Sequence, residues 1–315
     1  MNRHIYKLQK PKPLKKGARI GIVSPSSPAE ANAIAAGMEE LRRLGFVVEE
    51  PPAMGAQGYF AGGHEERLQQ FCKTVHNKNV DGVIATRGGY GANYLIDFRL
   101  STRLQGPKCI VGFSDLNIIQ SLMLEVRGWA GFYGPMVAAG FHQGSGQPSG
   151  YDMASFLQAV GETERKWNIP LRGTALVSGS ASGRIVGGCL TMLQTTVGTD
   201  FQVNAKGAIL LLEDRGVKPY QVDRMLRHLV QAGFFSGVKG IVLGDFPDCD
   251  PPMAGSPIVP EICVEVLGPL RVPIVYGAPI GHTKRAMLTI PLGVKARLQA
   301  KGEGTLEIME TAVEE

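Results

Sequence analysis

Residues 109–115 read CIVGFSD. Cys109, Ile110 and Val111 are apolar without polar alternation, two of them β-branched, so the stretch predicts a short strand buried on both faces. Helical composition follows from Asp115 to Val126. Ser114 therefore stands on a tight strand-to-helix turn, and Gly112 gives that turn steric room. The same grammar repeats upstream. Residues 17–24, GARIGIVS, predict a strand. Residues 29–44 predict a helix with Ile34, Met38, Leu41 and Leu44 on one face, stopped at Gly45. A second strand starts at Phe46, residues 64–77 predict a helix, and Val80 to Thr86 predict a third strand. Strands alternating with helices imply βαβ units, hence an α/β fold with a parallel sheet covered on both faces. Ligands in such sheets bind beyond the carboxyl ends of the strands.

The rest of the chain reads differently. Residues 142–150, HQGSGQPSG, have loop composition, and 178–183, SGSASG, form a second small-residue stretch. A second domain is expected to open with a small-residue helix over 187–193. A strand over 208–212, a helix over 219–231 and strands over 240–243 and 272–276 follow. Residues 287–308 alternate and are broken by Gly293 and by Gly302 and Gly304, which suits β hairpins. The length of 315 residues fits two domains. The expected division is a basic tail over 1–16, a serine-bearing α/β domain over 17–150, a connection over 151–183 and a β-rich domain over 184–315.

Composition removes several classes of function. The net charge is +5, but Arg3, Lys7, Lys10, Lys12, Lys15 and Lys16 stand in the first sixteen residues with no acid among them. The remainder carries 27 basic against 28 acidic residues, so a nucleic-acid groove is not indicated. No apolar run reaches the length of a membrane span or of a signal peptide. The five cysteines are odd in number and form no CxxC pair, which points to reduced thiols, a cytoplasmic setting and no metal site. Neither HExxH nor the GxxxxGK[ST] phosphate loop occurs, so no metal or cofactor is expected.

Four places could carry chemistry. Ser114 has the setting of a nucleophile elbow, with the backbone N–H of Asp115 aimed where an oxyanion would form. Helix capping by Ser114 or Asp115 is the plainer alternative. Residues 87–91, RGGYG, follow the third strand. Their glycines can turn N–H groups toward an oxyanion or a carboxylate, or simply make a turn. Glu213 ends an apolar strand with Asp214 beside it; it could orient a histidine, or pair with Arg215 or Arg224. His282 sits in APIGHT at 278–283, on a strand-to-loop exit next to Gly281. That makes it the best general base of the six histidines.

Ordered blocks across the chain resemble one family, the serine peptidases that include LD-carboxypeptidases and the microcin C immunity-type carboxypeptidases. The blocks are GARIGIVSPSSP at 17–28, YFAGGHEERLQQF at 59–71, ATRGGYGANYLID at 85–97, VGFSD at 111–115 and FYGPM at 132–136. GRIVGGCLTML at 183–193, LLLEDRGVKPYQVDRML at 210–226, LGDFPDCD at 243–250 and GAPIGH at 277–282 complete them. The resemblance implies a flavodoxin-like N-terminal domain, a smaller β-rich α/β C-terminal domain and an active site between them. It implies a catalytic triad of Ser114, Glu213 and His282, with oxyanion donors from the backbone of Asp115, Gly88 and Gly89. It implies hydrolysis of an amide between an L-centre and a C-terminal D-amino acid, typically D-Ala of a murein tetrapeptide, by a cytoplasmic homodimer without cofactor. Cleavage of a peptidyl-nucleotide is the alternative within the family, and small-ligand binding without catalysis is the alternative outside it. Two departures stand out: Cys189 where the family usually has asparagine, and Pro247 within a stretch usually FTDCD.

Overall fold

The structure, a computed structural model, describes residues 7–52, 54–96, 104, 106–161 and 166–315. Residues 1–6 of the expected tail, Asp97, and 162–165 of the expected connection lie outside the described residues. The chain forms two compact units. One comprises Met1–Thr163, Arg285–Gly293 and Thr311–Glu315; the other comprises Glu164–Lys284 and Val294–Glu310.

The first unit is built on β1 (Arg19–Val23), β2 (Val47–Glu49), β3 (Gly82–Ala85), β4 (Cys109–Gly112) and β5 (Gly131–Tyr133). These lie in the order β2-β1-β3-β4-β5, all parallel, which is the flavodoxin-like order. A sixth strand, β12 (Ile290–Leu292), joins β5 antiparallel. Helices α1 (Ala31–Arg43), α2 (His64–His76), α3 (Ala92–Ile96), α4 (Asn117–Leu122) and α5 (Met153–Gly161) complete the unit. Ile20, Ile22, Val83, Ile84 and Val111 are all buried, as expected for strands covered on both faces.

The basic segment is a strap on this unit from Gln9 onward. Gln9 bonds Gly128 and Ala130 in a short parallel bridge. Leu14 N–H donates to Val160 O at 2.7 Å, and Glu314 N–H to Pro11 O at 2.9 Å. Pro11, Pro13 and Leu14 are buried while Lys12, Lys15 and Lys16 are exposed. The apolar residues between the lysines hold the segment down, and the lysine heads stay in water.

The second unit carries an eight-stranded mixed sheet. Its strands are β6 (Trp167–Pro170), β7 (Thr174–Val177), β8 (Gly179–Cys189), β9 (Ala208–Glu213), β10 (Gly240–Gly244), β11 (Ile274–Ala278), β13 (Lys295–Ala300) and β14 (Thr305–Ile308). They lie in the order β6-β14-β13-β8-β9-β10-β11-β7, with β8 to β11 parallel. Helices α6 (Leu190–Thr196), α7 (Pro219–Gln231) and α8 (Val259–Leu267) follow β8, β9 and β10. Residues 178–183 are thus mostly strand rather than linker, and the helix expected over 187–193 starts only at Leu190. The glycines there serve close approach. A Cβ on Gly183 would strike the Gly207 carbonyl, and one on Gly187 the Leu211 carbonyl. Of the expected C-terminal hairpins, β13–β14 forms, while Ile290–Leu292 edges the other sheet. Among the described residues no helix is long and apolar enough to cross a membrane.

Candidate active site

In the first unit the chain leaves β4 through Phe113 in extended conformation and turns sharply at Ser114, whose φ is +61°. A non-glycine residue in the left-handed region costs about 1–2 kcal/mol, and such strain gathers at functional turns. A short 3₁₀ turn, Ser114–Leu116, then feeds α4. Gly112 has to be glycine: a Cβ would strike the Leu116 side chain and lie 3.1 Å from Met136 Cγ. Gly88 lies directly against the serine. A Cβ on it would be 2.7 Å from both Cβ and Oγ of Ser114 and 3.4 Å from the Asp115 nitrogen. The bare backbone of the 87–91 turn therefore faces the hydroxyl. Gly89, at φ +112°, packs on Ser27 instead. Ser27 ties that turn down, taking the Tyr90 N–H on Oγ at 3.1 Å and giving its own N–H to Gly88 O at 3.3 Å.

Asp115 is buried, and its carboxyl accepts the Ala92 N–H at 2.8 Å. Burial pushes this carboxyl above the usual range, against the Ser26 hydroxyl, the Ala92 N–H and the Arg67 charge, which hold it down. Ser26 Oγ faces it without a hydrogen bond of good geometry.

In the second unit Glu213 ends β9 with no exposed surface. Two glycines fence it. A Cβ on Gly244 of the neighbouring β10 would sit 2.5 Å from Glu213 Cβ, and a Cβ on Gly281, at φ +57°, would sit 2.5 Å from Glu213 Oε1. The other carboxylate oxygen, Oε2, accepts the His282 N–H at 2.9 Å and meets His282 Nδ1 at 2.8 Å. A carboxylate there selects the tautomer with its proton on Nδ1, leaving a lone pair on Nε2. Burial works against the charged ring, but the charge and hydrogen bond of Glu213, with Asp214 behind them, prevail and raise its pKa. Asp214 itself accepts from Thr191 N–H at 2.9 Å and Thr191 Oγ1 at 2.6 Å, which ties down the start of α6. Cys189 precedes that helix beside Glu213 in the sheet register, and burial pushes its thiol well up.

Sequence reading did not single out Asp245, Thr283 or Arg67. Thr283 Oγ1 donates to Asp245 Oδ2 and so pins the loop next to His282. Asp245 follows β10 as Glu213 ends β9, so a carboxylate at the end of a parallel strand was the available signal. Arg67 was not legible because two of its carbonyl partners, on Pro25 and Gly91, are distant in sequence. Asp248 pairs with Lys284 at 2.7 Å and Arg215 at 3.0 Å.

Two family models match this chain. The LD-carboxypeptidase N-terminal domain model matches residues 20–134, and the LD-carboxypeptidase C-terminal domain model matches residues 182–298. A probable murein peptide carboxypeptidase of Bacillus subtilis (strain 168) is 32% identical over 92% of this chain and 91% of its own. The microcin C7 self-immunity protein of Escherichia coli is 30% identical over 90% of this chain and 91% of its own. A solved structure of microcin C7 self-immunity protein in complex with aspartyl sulfamoyl adenosine superposes with a TM-score of 0.84 at 25% identity, covering 97% of this chain and 99% of that one.

Proposed function

The chain belongs to the LD-carboxypeptidase family, and from that premise we propose that it is a serine carboxypeptidase removing a C-terminal D-amino acid from an L-centre, typically D-Ala from a murein tetrapeptide. The observation that carries this reading is Ser114, a non-glycine residue at φ +61° with its hydroxyl against the bare Gly88. In the proposed reaction Ser114 Oγ attacks the scissile carbonyl carbon. His282 Nε2 takes its proton and later gives it to the leaving amine. Glu213 holds the ring in the tautomer that can do so and stabilises its cation. Backbone N–H groups of Asp115 and of the Gly88–Gly89 turn receive the oxyanion. Water then releases the acyl group, with His282 again as base.

The test is turnover of an L,D-linked tetrapeptide by Ser114→Ala. A loss of about 10³-fold or more in kcat is expected; wild-type turnover overturns the assignment. A second reading, cleavage of a peptidyl-nucleotide amide, is favoured by the similarity to the microcin C7 self-immunity protein. Side-by-side kcat/KM on a murein tetrapeptide and an aspartyl-adenylate conjugate decides between them. The third reading, a binding protein without catalysis, fails if a fluorophosphonate labels Ser114. We also assign the protein to the cytoplasm as a homodimer; light scattering showing a monomer alone at micromolar concentration refutes the dimer.

A further inference from the structure

Arg67 lies on α2 and is wholly buried. Its guanidinium is committed to backbone. Nε donates to Gly62 O at 3.1 Å, and Nη1 donates to Gly91 O at 2.9 Å and also to Pro25 O. Nη2 meets His64 Nδ1 at 2.6 Å, and the group lies over the Phe60 ring. One cation thus joins the loop after β1, the approach to α2 and the loop after β3. Burying a charge costs several kcal/mol unless it is paired and hydrogen-bonded. An apolar side chain would avoid that cost but leave the Gly62, Pro25 and Gly91 carbonyls without this donor, so the charge is kept to hold those three segments together.

The Gly91 carbonyl shows what the task is. It belongs to the same peptide group as the Ala92 N–H, and that N–H donates to Asp115 Oδ2 at 2.8 Å. One peptide plane is gripped at its oxygen by Arg67 and at its hydrogen by Asp115. Gly91, at φ +129°, leaves room for the grip: a Cβ there would stand 2.9 Å from Arg67 Nη1 and 2.8 Å from Phe60 Cδ1. The gripped plane ends the turn whose Gly88 abuts Ser114, and Asp115 is the residue after Ser114. The Asp115 charge also works on Arg67, opposing the downward push of burial on the guanidinium.

We infer that Arg67 and the Asp115 carboxyl are positioning residues: through the shared Gly91–Ala92 peptide they hold the oxyanion turn in register with Ser114. The inference rests on Ser114 being the nucleophile. Neither side chain touches substrate in this scheme. Both act on where the Gly88 backbone stands relative to the reacting carbonyl. A misplacement of about 1 Å there costs on the order of 10²-fold in rate.

The experiment is a double-mutant cycle on the full chain, reading kcat and KM separately on an L,D-linked tetrapeptide, with Tm recorded for each variant. Arg67→Met and Asp115→Ala are each expected to lower kcat about 10²-fold with KM changed by less than about threefold. Combined, they are expected to lose no more than about threefold beyond either alone, because both release the same peptide. Arg67→Lys restores part of kcat, since it keeps the charge and can still donate. Asp115→Asn keeps an acceptor for Ala92 and should exceed Asp115→Ala at least tenfold in kcat. A kcat loss no larger than the loss of folded protein, or losses that multiply in the double variant, overturns the inference. If Arg67→Met does not fold, Arg67→Lys with Asp115→Ala forms the cycle. Ser114→Ala is measured alongside: turnover there defeats the nucleophile reading itself, whereas an inactive Ser114→Ala with multiplying losses defeats the clamp alone.

Discussion

Gly281→Ala tests the proposed Glu213–His282 pair without replacing either side chain. Two costs can be worked out from the structure. The first is backbone: alanine at φ +57° carries the left-handed penalty, about 1–2 kcal/mol. The second is the collision. The new Cβ would stand 2.5 Å from Glu213 Oε1 and 2.8 Å from its Cγ. The carboxylate has little room to retreat, because Gly244 already packs its backbone against Glu213 Cβ. Either the carboxylate or the 278–283 loop must shift, and each shift stretches the bonds of 2.9 and 2.8 Å to His282. Breaking a buried charged pair costs about 3–5 kcal/mol. Loss of the orienting acid in a serine triad lowers kcat by up to about 10⁴-fold. We therefore expect Gly281→Ala to lower kcat by about 10²–10⁴-fold, with a modest change in KM and a lower Tm. The assay is D-alanine release quantified by mass spectrometry, with urea unfolding in parallel. Gly233→Ala is the control. It has φ +69° with nothing within 4 Å of the added Cβ, so it pays the backbone penalty alone and should keep kcat. A Gly281→Ala protein with wild-type kcat and an unchanged pH profile would refute the reasoning.

Other outcomes follow from the same geometry. Gly88→Ala puts a Cβ 2.7 Å from Ser114 Oγ, so steady-state assays should show kcat down by at least about 10²-fold while fluorescence-monitored unfolding shifts little. To act as the proposed base His282 must be neutral, and its pKa is raised. The acidic limb of kcat/KM should therefore lie above the ordinary histidine value of about 6.5. Glu213→Gln removes the charge that opposes burial, so the limb should move down; an unmoved limb assigns it to another group. The same shift has a sign for stability. A raised folded-state pKa contributes stability in full below about pH 6.5, and that contribution is lost as pH rises through the folded value. Urea titrations across that window should show a weaker slope in His282→Gln.

Much of the first unit was legible in advance because its signals are local. CIVG, GVIA and the IGIV of β1 are short apolar runs, and a parallel sheet buried on both faces requires such runs. In the second unit the same rules misread 178–183 and 187–189. Small residues suggest a linker or a loose helix when neighbours are unknown. In the sheet they let β8 approach β9 so closely that a Cβ on Gly187 would strike the Leu211 carbonyl. The lysines of the N-terminal segment hid Pro11, Pro13 and Leu14, whose burial decides where it lies.

The sequence alone determined the α/β class and put Ser114, Glu213 and His282 where strands give way to loops. Each of those assignments depends on a few consecutive residues: an apolar run ending in a polar residue for Ser114 and Glu213, and a nearby glycine for Ser114 and His282. Only the tertiary structure decided what surrounds them. Gly244 against Glu213, Gly88 against Ser114, Thr283 on Asp245, and Arg67 facing Asp115 across one peptide all join residues at least 23 apart in sequence. Their partners are mostly backbone atoms or bare Cα positions. Every residue offers a backbone N–H or C=O, so sequence cannot say which one a buried side chain will bind until sheet order and register have brought the strand ends together.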